Sequence, residues 1–272
     1  MKRISLCADD FGMHPAISEA IVRLAQNQRL NATSCLVTSN FWSSDFALLR
    51  PLKEHIDIGL HLNFTEGKGL SDHFKKGLPG LSNMLWKSHC RLFSSEQIED
   101  EIRAQLEQFM FVSGLRPDFI DGHQHIHHLP QIRNALLKVL AEKELDTLWI
   151  RSVTPLIMNT SSLKSRMIEG SGARAFRHMI QSTPLKTNPA FAGVYSLSEN
   201  ENFSQLMPFW LESLPDKGLI MCHPCIPSDK SSINKDIDHQ KARQLEFNYL
   251  DSQQFIDTLH KTKTSLYQLS TL

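Results

Sequence analysis

Acidic and histidine residues stand at the ends of several short apolar runs in this sequence. Asp9 and Asp10 follow the run Ile4 to Ala8, in Ala-Asp-Asp-Phe-Gly. Adjacent carboxylates at the mouth of a buried strand repel one another unless a cation or a proton separates their roles. One can then bind a metal while the other takes a proton, although such a pair can equally cap the next helix. His61 stands in Gly-Leu-His-Leu-Asn, where a lone histidine is more often a hydrogen-bonded core residue. Asp121 opens Asp-Gly-His-Gln-His-Ile-His-His. If the strand entering that segment continues, period-two alternation puts His123, His125 and His127 on one face. Neutral imidazole is the commonest metal-binding side chain, so this is the strongest local signal, set against the plainer reading of a polar turn. Arg151 ends a later run and offers a rigid cation that could orient Asp9, stabilise an oxyanion or form a structural ion pair. His223 ends another, and an imidazole there could act as general acid. Cys222-His-Pro-Cys225 has redox spacing, but it comes late in a long chain, and a single pair cannot complete a four-cysteine zinc site.

The elements that must carry these residues alternate. Ile4 to Ala8 reads as a buried strand and Pro15 to Leu30 as a helix with Ile17, Ala20, Ile21 and Leu24 on one face. Thr33 to Thr38 (strand), Trp42 to Lys53 (helix) and Ile56 to Leu62 (strand) repeat the unit. A long loop at about 64–93 shows neither period, and long loops in compact domains are usually functional or mobile. Helices are expected at Ser95 to Ser113, Pro130 to Glu144, Asn202 to Leu214 and, largely, Asp238 to Lys261, with a less regular helical stretch over Ser161 to Gln181. Strands are expected at Phe119 to Ile120, Thr147 to Arg151 and Gly218 to Cys222, with Leu266 to Leu269 closing the sheet. The series predicts an α/β chain, a single (β/α) barrel-like domain over 1–272, incomplete or distorted barrels included. In such folds functional groups gather at the C-terminal ends of the strands. Asp9, Asp10, His61, Asp121, His123, His125, His127, Arg151 and His223 all end or just follow such strands.

Composition narrows the function class. The 272 residues balance 29 Lys+Arg against 29 Asp+Glu, so no basic field favours a nucleic acid. No window supplies the roughly 18 apolar residues of a membrane span, and the run after Lys2 and Arg3 is too short for a signal peptide. Five cysteines in so long a chain do not make a disulfide framework, so a reducing, cytoplasmic setting is expected. Self-association into a homo-oligomer stays open.

The motifs Ala8-Asp9-Asp10-Phe11-Gly12, Gly59-Leu60-His61-Leu62-Asn63, Asp121 to His127 and Met221-Cys222-His223-Pro224 together resemble the YdjC-like carbohydrate deacetylases, the family that includes chitooligosaccharide and hopanoid-biosynthesis deacetylases. Arg243 and Glu246 also resemble a pattern of that family. The resemblance implies a barrel-type deacetylase fold and hydrolysis of an acetyl group from an N-acetylated sugar. It further implies one divalent metal ion held by Asp10, His61 and His123, with Asp9 as general base and His223 as acid. His125, His127, Asp121 and Asn63 are then supporting or substrate-facing residues. The family is described with magnesium, whereas two imidazoles and a carboxylate suit zinc or another transition ion better. Two rivals remain. Another metal-dependent amidohydrolase or phosphoesterase would usually place its His-x-His after the first strand, and a non-enzymatic sugar binder would need aromatic platforms rather than an acid and metal set.

Overall fold

The structure is a computed structural model that describes residues 1–154, 169–198, 201–226 and 237–271. Its described strands are β1 (Lys2–Phe11), β2 (Ala32–Cys35), β3 (Asp57–Leu62), β4 (Phe119–Gly122), β5 (Trp149–Ile150), β6 (Lys186–Thr187), β7 (Phe191–Ala192), β8 (Gly218–Cys222) and β9 (Thr264–Leu266). They form one sheet in the order β6-β5-β4-β3-β2-β1-β8-β7, with β9 added beside the start of β1, and the described strand pairs are all parallel. The path runs outward through β6 and returns at β7, yet only residues 188–190 separate those two strands. Four peptide steps reach at most about 14 Å, so the two ends of the path must lie close together. The sheet is therefore curled like a barrel. Asn188 fastens the gap: its Oδ1 accepts from Ser152 N at 2.8 Å, and its Nδ2 donates to Ser152 O and Ala190 O at 2.9 Å.

Helices cover the outside: α1 (Pro15–Gln26), α2 (Trp42–Leu49), α3 (Leu81–His89), α4 (Ser95–Ser113), α5 (Pro130–Glu142), α6 (Arg174–Gln181), α7 (Phe203–Ser213), α8 (Gln240–Leu250) and α9 (Gln253–Lys261). Local chemistry sets several boundaries. Pro15 opens α1, where a missing N–H costs nothing. Ser94 and Gln97 form a capping box at the start of α4, and Gly114 ends it in a left-handed conformation. Ile98, Ile102, Leu106 and Phe109 are the buried stripe that holds α4 to the sheet.

Several expectations change. The 64–93 segment contains α3, whose Met84 and Ser88 are buried. Nine residues are too few for a sustained period to stand out. The expected Trp42 to Lys53 helix ends at Leu49 and tightens into a 3₁₀ turn over Arg50–Leu52, since Pro51 cannot continue the helical ladder. Of the Ser161 to Gln181 stretch, residues 161–168 lie outside the described residues, and the rest is a π-helical turn over Glu169–Ala173 running into α6. The closing strand comes slightly earlier than expected, at Thr264–Leu266.

Candidate active site

At its C-terminal end β1 carries an irregularity that aims both aspartates. Ala8 pairs with Thr33 and Phe11 with Cys35, so three steps on β1 oppose two on β2. The extra residue is taken up by Asp10, whose φ of 69° is left-handed. A bulge of this kind re-aims side chains that would otherwise alternate between faces. Asp9 and Asp10, both 1% exposed, thereby serve two neighbouring clusters.

Around Asp10 the partners are imidazoles and one guanidinium. His123 Nδ1 lies 3.0 Å and His61 Nε2 3.4 Å from Asp10 Oδ1, while Arg243 Nη2 donates to Oδ2 at 2.7 Å. Ligand atoms of Asp10, His61 and His123 all lie within 4.8 Å of one another and are buried. His61 is held from behind: its Nδ1 lies 2.6 Å from Asp121 Oδ1 and 3.0 Å from Ser34 Oγ. A carboxylate that takes the Nδ1 proton leaves the lone pair on Nε2, the nitrogen facing Asp10, as in histidines that bind metals. His123 Nε2 lies 3.2 Å from Glu66 Oε1, and Gln124 Nε2 holds that same oxygen at 2.8 Å. Burial opposes charge on both rings, but Asp121 and Asp10 outweigh it at His61 and Asp10 outweighs it at His123, raising them to about 10 and about 9. These donors fit a divalent cation: two imidazoles and one carboxylate converge, and the carboxylates that now favour protons on the rings would equally favour a metal.

Around Asp9 the cation is organic. Arg151, fully buried, donates Nη1 to Asp9 Oδ2 and Nη2 to Asp9 Oδ1, both at 2.6 Å, and Nη2 also lies 2.5 Å from Asp121 Oδ2 and 3.0 Å from Cys7 Sγ. Burial works against ionising Asp9, yet the guanidinium more than offsets it and holds the carboxyl well below its usual range. His223 Nε2 lies 4.0 Å from Asp9 Oδ2. β8 lies directly beside β1, with Cys222 paired to Ala8, which brings His223 next to Asp9.

The histidine segment departs from expectation. β4 stops at Gly122, and His123–His128 form a tight 3₁₀ turn with Gln124 and His125 at left-handed φ of 52° and 62°. The three histidines therefore do not share a strand face. A Cβ at Gly122 would lie 2.9 Å from His127 N and Nδ1, so only glycine lets the turn fold back over the strand end. Each ring then goes its own way. His123 reaches Asp10, while the His125 ring packs at 5.6 Å against Phe191, and His127 Nε2 lies 2.9 Å from the backbone oxygen of Arg151. Burial, with Arg151 or His128 nearby, drives His125 and His127 well below the usual imidazole value, so both are neutral. Asn63 shapes the loop beyond β3: its Oδ1 accepts from Thr65 N and Glu66 N, and its Nδ2 donates to Glu66 O and Thr38 Oγ1.

Sequence reading did not single out Ser34, Glu66 or Tyr195. Ser34 lies on β2, where its hydroxyl, 3.0 Å from His61 Nδ1, donates to Asp9 Oδ1 at 3.2 Å, and only strand order reveals this. Glu246 on α8 is fully buried, accepts from Tyr195 Oη at 2.5 Å and from His223 N, and is pushed up to about 7, chiefly by burial.

The chain as a whole is similar to known proteins in sequence and in fold. A carbohydrate deacetylase of Clostridium beijerinckii is 25% identical over 254 residues, 90% of each chain. A chitooligosaccharide deacetylase of Serratia marcescens is 26% identical over 232 residues, 82% of this chain and 81% of that one. A carbohydrate deacetylase of Danio rerio is 30% identical over 151 residues; that match covers 52% of this chain, which spans about half (47%) of the relative's length. Among solved structures, an Enterococcus faecalis V583 protein named only provisionally, as a cellobiose-phosphate cleavage protein, superposes with a TM-score of 0.75 at 20% identity, covering 99% of this chain and 98% of the other, and it supports the fold alone. The family model described as YdjC-like protein matches residues 3–261, so the chain belongs to the YdjC-like family.

Proposed function

We propose that this chain is a metal-dependent hydrolase that removes the acetyl group from an N-acetylated sugar, releasing acetate and a free amine. The observation that carries the reading is the convergence of Asp10, His61 and His123 beside Asp9 and His223, in a chain whose relatives are named carbohydrate and chitooligosaccharide deacetylases. Asp10, His61 and His123 would hold one divalent ion, magnesium by family resemblance or zinc by donor chemistry. Bound there, it would supply Lewis acidity toward the acetamido carbonyl and lower the pKa of a water.

The chain's own groups carry the protons. Asp9 is ionised at any working pH, and its Oδ2, unlike the Oδ1 that also accepts from Ser34, keeps a lone pair beyond the Arg151 fork, so it can accept a proton from the attacking water. Its low basicity limits the drive for that transfer, and Arg151 is the cause. In exchange the fork fixes the carboxylate's direction, and His127 steadies Arg151 from behind through its backbone oxygen. Arg151 is thus a positioning residue acting through Asp9. As water oxygen bonds to the carbonyl carbon and the C–N bond breaks, His223 gives a proton to the departing nitrogen. An amine expelled without that proton is a very poor leaving group.

Acetate release from N-acetylglucosamine oligomers tests this directly. We expect release that a chelator abolishes and a divalent ion restores. Ample bound metal with no acetate from any N-acetylated sugar, or release unaffected by metal removal, would overturn it.

A further inference from the structure

We infer that Glu246 is a positioning residue that sets His223 opposite Asp9, acting through the His223 main chain from helix α8. The inference rests on the proposed acid role of His223 and deepens it.

β8 ends at Cys222, and the next residues are His223 and Pro224. Pro224 has no N–H, so the turn that aims His223 has few backbone donors with which to anchor itself. Both donors that flank Pro224 are pinned by α8. His223 N donates to Glu246 Oε2, and Cys225 N donates to the Arg243 carbonyl at 3.2 Å. Arg243 and Glu246 are three residues apart, hence neighbours on one helical face. Arg243 extends from that face to Asp10 Oδ2 at 2.7 Å. One face of α8 therefore registers the His223 turn and Asp10 against each other.

Glu246 is an expensive way to hold a backbone N–H, since a fully buried carboxyl pays heavily for lost water. Its other oxygen takes Tyr195 Oη at 2.5 Å, so both oxygens meet donors. What the site requires at this position is an acceptor for His223 N and a hydrogen-bond partner for the Tyr195 hydroxyl, both at a fixed reach. A glutamine can meet that requirement: its Oε1 accepts from His223 N, and the Tyr195 hydroxyl turns to accept from its Nε2. An aspartate keeps the charge but is one carbon shorter, so His223 N must follow it or lose its partner. The pair thus separates position from charge without emptying a buried site.

The experiment measures Glu246→Gln, Glu246→Asp and His223→Ala on an N-acetylated sugar and on an acetate ester, with bound metal determined for each. An alkoxide needs the acid far less than an amine does, so misplacing His223 should weaken amide cleavage selectively. We expect Glu246→Asp to keep its metal and lose about 100-fold on the amide, the scale of a misplacement near 1 Å, with the ester reduced less than about 10-fold. Glu246→Gln should lose about ten times less than Glu246→Asp on the amide. The reverse order of the two variants, or equal amide and ester losses in Glu246→Asp, would overturn the inference while His223→Ala keeps its selective loss. If His223→Ala itself affects amide and ester equally, the acid role of His223 fails instead, and the inference with it.

Discussion

Asp9 and Asp10 are neighbours in the chain and equally buried, yet they sit in two clusters that balance charge by different means. Three acidic or thiol groups, Cys7, Asp9 and Asp121, come together close enough to hold a metal, but Arg151 already stands among them and touches all three. Asp10, His61 and His123 converge just as closely, and there the cationic partner, Arg243, approaches only Oδ2, leaving Oδ1 facing the two imidazoles. A guanidinium occupies its place permanently and cannot exchange, so the first cluster is a rigid support. The second joins one carboxylate oxygen to two nitrogens and suits an inorganic ion. Asp121 links the two, with Oδ1 on His61 and Oδ2 beside Arg151.

The largest expected break is on the Arg151 side. Arg151→Leu leaves Asp9 and Asp121 buried without their cation, and breaking a buried pair in this way costs about 3–5 kcal/mol. Thermal unfolding should show a large loss of stability; an unchanged melting temperature would mean that Arg151 is no support. Next comes Asp9→Asn, which keeps the shape of the fork's partner but removes its charge. Metal should stay while deacetylation falls about 100-fold or more, the range for a lost general base. Near-normal turnover with metal in place would remove Asp9 from the chemistry. His223→Ala should follow with metal retained and amide cleavage suffering more than ester cleavage, as measured by acetate release from both.

The smallest effect comes from a carboxyl with no cation beside it among the described residues, at the opposite end of the strands. Asp118 accepts from Ile58 N at 2.7 Å but is pushed up to about 6 by burial, helped by Asp57 and Glu54. Its unfolded value lies near 4, so the folded state holds the proton more tightly. The stability this provides is complete below about pH 4 and is lost as pH rises through about 6. Asp118→Asn should therefore raise the melting temperature at pH 8 and leave it little changed at pH 4. A gain that is the same at both pH values would show that charge is not the cause.

Much of the scaffold was legible. Helix α4 and strand β8 fall at the residues their periodicity and flanking signals indicate, because apolar spacing and caps are local properties. Of the residues the strand-end rule groups, Asp9, Asp10, His61, Asp121, His123, Arg151 and His223 lie in two adjoining clusters, while His125 and His127 turn to Phe191 and to the Arg151 carbonyl. What failed was conformation at the strand ends themselves. The His123–His128 turn and the bulge at Asp10 both need left-handed residues that are not glycine, and tertiary contacts with Asp10, Phe191 and Arg151 set them. Ser34 and Glu66 carry no motif of their own. Their roles follow from which strands become neighbours.

The central claim is that the two clusters hold different cations, one inorganic and one built from the chain. Elemental analysis of bound divalent metal after dialysis tests it most directly, comparing the unaltered protein with Asp9→Asn and His123→Ala. The account predicts one ion per chain in the first two and none in His123→Ala. Full occupancy in His123→Ala, or loss of the ion in Asp9→Asn, would contradict it.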